Sequence, residues 1–162
     1  MAADRATVSV SASLLPDEIK TAIGGTTVYD LNDFGDNNFW LYTLTLVGAT
    51  SEDLIKTGTT YLGQGAAEEG DTGTTQNTDD VLFVFVKHSG TTDGSTATTA
   101  NLHVNTSTTA ATGSAAGDIV LKPNECWFAR LGTDTKIQDI NADSSSGVIQ
   151  AQVFAICDDG GV

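Results

Sequence analysis

Residues 118–156 read DIVLKPNECWFARLGTDTKIQDINADSSSGVIQAQVFAI, and this stretch decides the fold class. It holds four short runs of β-branched, aromatic and other apolar residues, at 119–121, 126–131, 136–142 and 148–156. Pro-Asn, Gly-Thr-Asp and Ser-Gly turns separate them. Short strands with turn residues every ~8–12 positions are typical of an antiparallel β-sandwich. We predict an all-β, antiparallel, jelly-roll-like β-sandwich with long Thr/Gly-rich loops and little helix.

Two further runs predict the centre of the core. Phe39–Val47 carries apolar residues on both faces of a strand, and Val81–Val86 is apolar throughout, so both are predicted as central strands. Between them, Ser51–Lys56 is predicted as a helical turn capped by Ser51. Residues 63–80 are rich in Gly, Thr and acids, and we predict a long surface loop there.

Length and charge restrict the possible partners. The chain has 162 residues, which favours one domain, and a net charge of −14 with only 7 scattered basic residues. Nucleic acids and anionic membranes require a basic cluster, so neither is expected as a partner. No secretory leader and no membrane helix are expected. We predict an N-terminal strand or extended arm at 1–15, one sandwich domain at 16–157 and a flexible tail at 158–162.

The two histidines are candidate metal ligands. A cupin-type enzyme is also a jelly roll, and it needs two or three His ligands with a carboxylate. His88 and His103 stand alone in the sequence. They could approach each other if their strands pair, but solvent-exposed positions at strand ends are the favoured interpretation for both.

Several acidic residues are candidate calcium ligands or glycosidase carboxylates. They lie in polar loops or in the tail, so a solvated acidic surface is favoured over either kind of site. The two cysteines, Cys126 and Cys157, are expected to be reduced and buried, and a disulfide between them is the less favoured alternative. We therefore predict no enzymatic activity, no catalytic or metal residues and no cofactor. The candidate acidic residues are Glu68, Glu69, Asp71, Asp79, Asp80, Asp158 and Asp159, and Asn77 offers an amide oxygen beside them.

The block from Asp118 to Ile156 resembles the small β-sandwich virion proteins of tailed, marine-type bacteriophages, most of all their head-decoration or cement proteins. The similarity lies in Ile119–Glu125, in Trp127-Phe128, in Ile137–Ala142 and in the closing segment Gly147–Val153. It covers about a quarter of the chain. Generic jelly rolls and carbohydrate-binding domains use similar turns.

The resemblance implies a non-enzymatic structural protein. Such a protein is assembled in the host cytoplasm, lies on the exterior of the capsid, and binds and stabilises the lattice of the major capsid protein. It also forms homo-oligomers, for which a trimer at a lattice axis is the natural arrangement. The N-terminal segment is then a candidate arm, with Val8, Val10, Leu14 and Leu15 as the residues that contact the capsid. The alternative is that this segment is the first strand of its own sandwich.

A second function stays open. Trp40, Tyr42 and Trp127 could line a sugar-binding groove, as in a receptor- or carbohydrate-binding module of a phage tail, although aromatic residues at this spacing are more often part of a core.

Overall fold

The computed structural model describes residues 5–13, 22–30, 38–55, 63–66, 79–108, 110–113, 118–132 and 134–158. Within them the fold is all-β, as predicted, and the helical content is one 3-10 turn at Ile137–Asp139. The strands are β1 (Arg5–Ser13), β2 (Ala22–Asp30), β3 (Asn38–Val47), β4 (Glu52–Asp53), β5 (Gly63–Ala66), β6 (Asp80–His88), β7 (Leu102–Thr106), β8 (Ile119–Leu121), β9 (Cys126–Arg130), β10 (Ile140–Ser144) and β11 (Ile149–Asp158).

Two antiparallel sheets form the sandwich. The larger sheet has the order β5-β3-β11-β6-β9, and the smaller has the order β4-β10-β7-β8. Without β5, the two sheets contain eight strands. In chain order the first of them, β3, pairs with the last, β11. Inside this pair, β4 pairs with β10, β6 with β9 and β7 with β8. This nesting is the strand order of a jelly roll. The predicted jelly-roll-like sandwich is therefore confirmed.

The main core lies between the two sheets. Leu41 from β3 and Val84 from β6 belong to the same buried cluster as Leu102 from β7 and Ile140 from β10. All four have no solvent-exposed surface. The two segments predicted as core strands, Phe39–Val47 and Val81–Val86, thus lie in β3 and β6 of the larger sheet.

The helical turn predicted at Ser51–Lys56 is wrong within its described part. Residues 52 and 53 form β4, and the amide of Leu54 donates to the carbonyl of Ile140 at 2.8 Å. Ser51 does not cap a helix, because its hydroxyl accepts from the amide of Ala111 at 3.0 Å. Burial of Leu54 and Ile55 in the core outweighs the local preference for a turn.

The predicted strand at 136–142 begins later than expected. Residues 137–139 form the 3-10 turn, and β10 starts at Ile140. The carboxylate of Asp139 accepts from the amide of Lys136 at 2.9 Å, and the amide of Asp139 donates to the Lys136 carbonyl at 2.9 Å. These two hydrogen bonds close a turn where the apolar pattern alone predicts an extended chain.

The loop predicted at 63–80 is also partly a strand. Residues 63–66 form β5, which pairs with Phe39–Tyr42 of β3, and β6 begins at Asp80. A Gly-rich, four-residue segment has no apolar alternation that would reveal it as a strand. Residues 67–78 of the predicted loop lie outside the described residues.

Candidate interaction surfaces

The N-terminal segment forms a two-stranded ribbon. β1 and β2 pair antiparallel along their whole length, from Arg5 opposite Asp30 to Ser13 opposite Ala22. Among the described residues, neither strand hydrogen-bonds to a strand of the two larger sheets. β1 is thus placed in a sheet of its own with β2.

One face of this ribbon is exposed and mainly polar. Thr7 and Ser9 of β1 and Thr26 and Val28 of β2 are exposed, and the Ser9 and Thr26 hydroxyls lie 3.2 Å apart. Val8 and Val10 alternate with Thr7 and Ser9, so the backbone register places them on the other face of the ribbon. Leu14 and Leu15, the other two predicted contact residues, lie outside the described residues.

A row of aromatic rings crosses the outer face of the larger sheet. Trp40, Phe154, Phe83 and Phe128 come from β3, β11, β6 and β9, which are adjacent strands. Successive ring centroids lie 6.5, 6.3 and 6.5 Å apart. Phe83 is buried, whereas Trp40 and Phe154 are half-buried and Phe128 is 37% exposed. All rings of the row except Phe83 are therefore partly open to solvent.

The structure does not bring together the three residues considered for a sugar groove. Trp40 and Tyr42 alternate with the buried Leu41 and lie on the outer face of the larger sheet. Trp127 instead packs against the main core between the sheets. A groove lined by all three is excluded.

His88 is buried, which corrects the prediction of an exposed strand end. It is fully buried at the end of β6. The Gly90 amide donates to its Nδ1 at 2.9 Å, and its Nε2 lies 2.9 Å from the Ala100 carbonyl oxygen, so Nε2 carries the hydrogen. The ring therefore connects Gly90 and Ala100, two residues of the loop that follows β6.

His103 is also buried, at 8% exposure, and not exposed as predicted. Its Nδ1 lies 2.7 Å from a carboxylate oxygen of Asp143, the residue opposite it on β10. His88 and His103 lie on strands of different sheets, so their strands do not pair. In the described part of the chain, no three His, Cys, Asp or Glu side chains come together as a metal site would need.

The acidic candidates are less exposed than predicted. Asp79 is fully buried, and Asp80 accepts a hydrogen bond from the Lys136 ammonium at 2.6 Å. That hydrogen bond raises the pKa of Lys136. For Asp79 and Asp80 the predicted solvated loop is therefore wrong. The other candidates lie outside the described residues. They are Glu68, Glu69, Asp71, Asn77, Asp159 and the side chain of Asp158.

The two cysteines differ. Both are free thiols; Cys157 is buried as predicted, but Cys126 is exposed. Cys126 begins β9, an edge strand whose residues alternate between exposed and half-buried. Because Trp127 packs against the core, its neighbour Cys126 faces outward.

Two features are not predicted by the sequence pattern. Leu44 and Leu46 on β3 are 39% and 54% exposed, so the strand is apolar on a face that is open to solvent. The alternation of Thr and Leu at 43–46 predicts two different faces but does not show which face is open to solvent. The His103–Asp143 pair is not predicted either, since its partners are 40 positions apart.

Comparison with protein-family models, curated proteins and solved structures gives no match to this chain. Across the described residues, no helix has the length and apolar character needed to span a membrane.

Proposed function

We propose that this protein is a non-enzymatic capsid decoration protein of a tailed phage. In this role it binds the lattice of the major capsid protein, stabilises it and lies on the exterior of the virion after assembly in the host cytoplasm. The observation that carries the proposal is the β1–β2 ribbon, which pairs with itself and with neither sheet of the jelly roll among the described residues.

A ribbon of only two strands needs a further contact to be stable. A two-stranded hairpin in water is marginally stable by itself, and a third strand or an apolar contact is required to hold it. The exposed face of the ribbon carries Thr7, Ser9 and Thr26. The positions on its other face include Val8 and Val10, whose burial against a partner would contribute ~25 cal/mol per Å² of apolar surface.

The charge of the ribbon also suits a binding role. Arg5 and Asp30 are the only charged residues of β1 and β2, and they face each other in register. The whole chain carries a net charge of −14. A nearly neutral ribbon can contact a lattice of either sign, while the acidic remainder keeps decoration proteins from aggregating.

The test compares two double variants of the full chain for co-sedimentation with undecorated capsids. Val8→Asp with Val10→Asp places charge on the proposed contact face, and we expect capsid binding to be lost. Thr7→Asp with Ser9→Asp places the same charge on the exposed face and serves as the matched control, which keeps binding. Both should keep the melting temperature of the sandwich, because among the described strands β1 pairs only with β2.

A truncation makes the outcome decisive. Removal of residues 1–30 deletes the whole ribbon and leaves β3 to β11 intact. Capsid binding by the truncated chain at native stoichiometry would refute the role of the ribbon.

One observation favours a second candidate, a receptor- or carbohydrate-binding module of a phage tail. The aromatic row on the larger sheet ends in Trp40 and Phe128, which are both partly open to solvent. Sugar rings stack on such surfaces. This function predicts micromolar to millimolar binding on a glycan array that Phe128→Ala abolishes, whereas a decoration protein shows no such binding.

A further inference from the structure

The aromatic row on the larger sheet has two basic neighbours. Lys87 and Arg130 lie on the same face as the rings, because they alternate with residues of β6 and β9 that pack into the main core. In the register of these strands, Arg130 is opposite Phe83 and Phe128 is opposite Phe85. The pair of Phe85 and Phe128 therefore has Arg130 on one side and Lys87 on the other.

This part of the sheet is basic although the chain is acidic. The segments of β3, β6, β9 and β11 that carry the rings contain two basic residues and no Asp or Glu. They are 40–46, 83–87, 126–130 and 150–156. Neither Lys87 nor Arg130 forms an ion pair with another described residue, and Arg130 is exposed. Both charges are therefore available to a bound anion.

Aromatic rings beside cations favour a ligand that combines an apolar ring face with a negative charge. The apolar face of a pyranose packs on an aromatic ring. A guanidinium binds a carboxylate through two parallel hydrogen bonds. Gln152 is opposite Lys87 on β11, and its amide can exchange hydrogen bonds with sugar hydroxyls. A sugar that carries a carboxylate fits all of these groups.

Two other classes of ligand fit this face less well. An extended peptide binds at a sheet edge through main-chain hydrogen bonds, whereas β6 is paired on both sides and presents side chains only. A single-stranded nucleic acid carries a charge on every nucleotide, and the net charge of −14 repels such a polyanion. A saccharide with one carboxylate meets mainly the local charges, because screening limits the range of the others to about 8 Å at physiological salt.

We propose that the aromatic row binds an acidic saccharide of the hexuronic acid class. A pyranose ring packs on Phe85 and Phe128, and its carboxylate is bound by Arg130. Lys87, on the other side of the two rings, binds a second polar group of the sugar. The inference rests on the carbohydrate-binding function, the second candidate above, and names the class of its ligand.

The test titrates the full chain with two matched pairs of sugars, followed by NMR. The acidic members are the methyl glycosides of glucuronic and galacturonic acid, and the neutral members are those of glucose and galactose. Within a pair, the carboxylate replaces a hydroxymethyl group and the ring is unchanged. We expect an acidic sugar to bind ~10-fold or more tightly than its neutral counterpart. The largest shifts should be those of amides in β6 and β9.

Three variants separate the charge from the rings. Arg130→Gln should abolish the preference for the acidic sugar and leave the weaker binding of the neutral one. Phe128→Ala removes the packing surface and should abolish both. Lys122→Gln is the matched control, because it removes the same charge from an exposed residue in the turn between β8 and β9. It should keep the preference of wild type.

The outcomes distinguish this inference from the function on which it rests. Equal affinity for acidic and neutral sugars would overturn the inference and leave the carbohydrate-binding function in place. Absence of binding to either acidic sugar would also overturn it, and if the glycan array shows no binding as well, the carbohydrate-binding function falls with it. Loss of the preference in Lys122→Gln would show that overall charge, and not Arg130, selects the ligand, which contradicts the proposed site.

Discussion

His103 organises the outer face of the four-stranded sheet. Its ring bonds to Asp143 across the strands, and Gly113 lies directly against it. Gly113 has φ +71, in the left-handed region, and a Cβ placed there would come within 2.3 Å of the imidazole. The segment 110–113 therefore follows a path that only glycine permits at this point.

Replacement of Gly113 by Ala should be costly for this reason. The added methyl combines left-handed strain with a steric clash, and we expect a loss of about 2–4 kcal/mol in the free energy of unfolding, measured by urea denaturation. Gly132→Ala is the control, because a Cβ at Gly132 meets no atom within 4 Å and its φ is not positive. Similar losses for the two variants would show that contact with His103 does not decide the effect.

Asp93 holds the turn after β6 by a set of hydrogen bonds to its carboxylate. The amides of Thr96 and Ser95 donate to it at 2.7 and 2.9 Å, and both hydroxyls of these residues donate at 3.0 Å. These bonds, led by the Thr96 amide, lower the pKa of Asp93 from 3.8 to about 2. The ionised carboxylate is therefore favoured in the folded chain.

The lowered pKa predicts a pH dependence with a definite sign. The contribution of Asp93 is fully present above its ordinary pKa of 3.8 and is lost as the pH falls through about 2. Asp93→Asn keeps an acceptor for the two amides but carries no charge. Its melting temperature should lie below that of wild type at about pH 5, and the difference should shrink toward about pH 2. A difference that stays constant over this range would contradict the assignment.

β4 is a strand that its own sequence does not predict. It has two residues, yet it positions Leu54 and Ile55, which are both fully buried in the main core. Its pairing is with Asn141 and Ala142 of β10, far along the chain. The local sequence favours a turn, and only the distant strand makes this segment extended.

Truncation of Leu54, which directly follows β4, should show that this strand is anchored in the core. Leu54→Ala leaves a cavity between the sheets, and we expect a loss of about 2–5 kcal/mol in unfolding free energy. Leu46→Ala removes the same atoms from a side chain that is 54% exposed and should cost less than about 1 kcal/mol. A loss below about 1 kcal/mol for Leu54→Ala would mean that β4 is not anchored in the core.

The elements that the sequence predicts well are those with a strong pattern of their own. β3 and β6 carry long apolar runs, and the Pro123-Asn124 turn is visible as turn residues, with Asn124 at φ +70. The His103–Asp143 pair could not be predicted, because it depends on the register between β7 and β10. The exposure of Cys126 depends likewise on β9 lying at a sheet edge, which is a property of the assembled fold.

In the molecule as a whole, the jelly roll and the ribbon that is proposed to bind the capsid are formed by different strands. β3 to β11 close a core by pairing the first strand with the last, and among the described strands β1 pairs with β2 in a sheet of its own. The sequence predicts the sandwich class, because alternation and turns are local. It does not predict which strands pair, because antiparallel neighbours in this order are distant in the chain.

The central claim, a head-decoration role, makes a quantitative prediction about the native particle. The most direct measurement is the copy number of this protein per virion, by quantitative gel together with electron microscopy of the particles. A protein that covers a symmetric capsid lattice should be present in numbers on the order of hundreds and lie at repeated lattice positions on the outer surface. A count of about six to twelve at one vertex or on the tail would contradict the claim and favour the receptor-binding function.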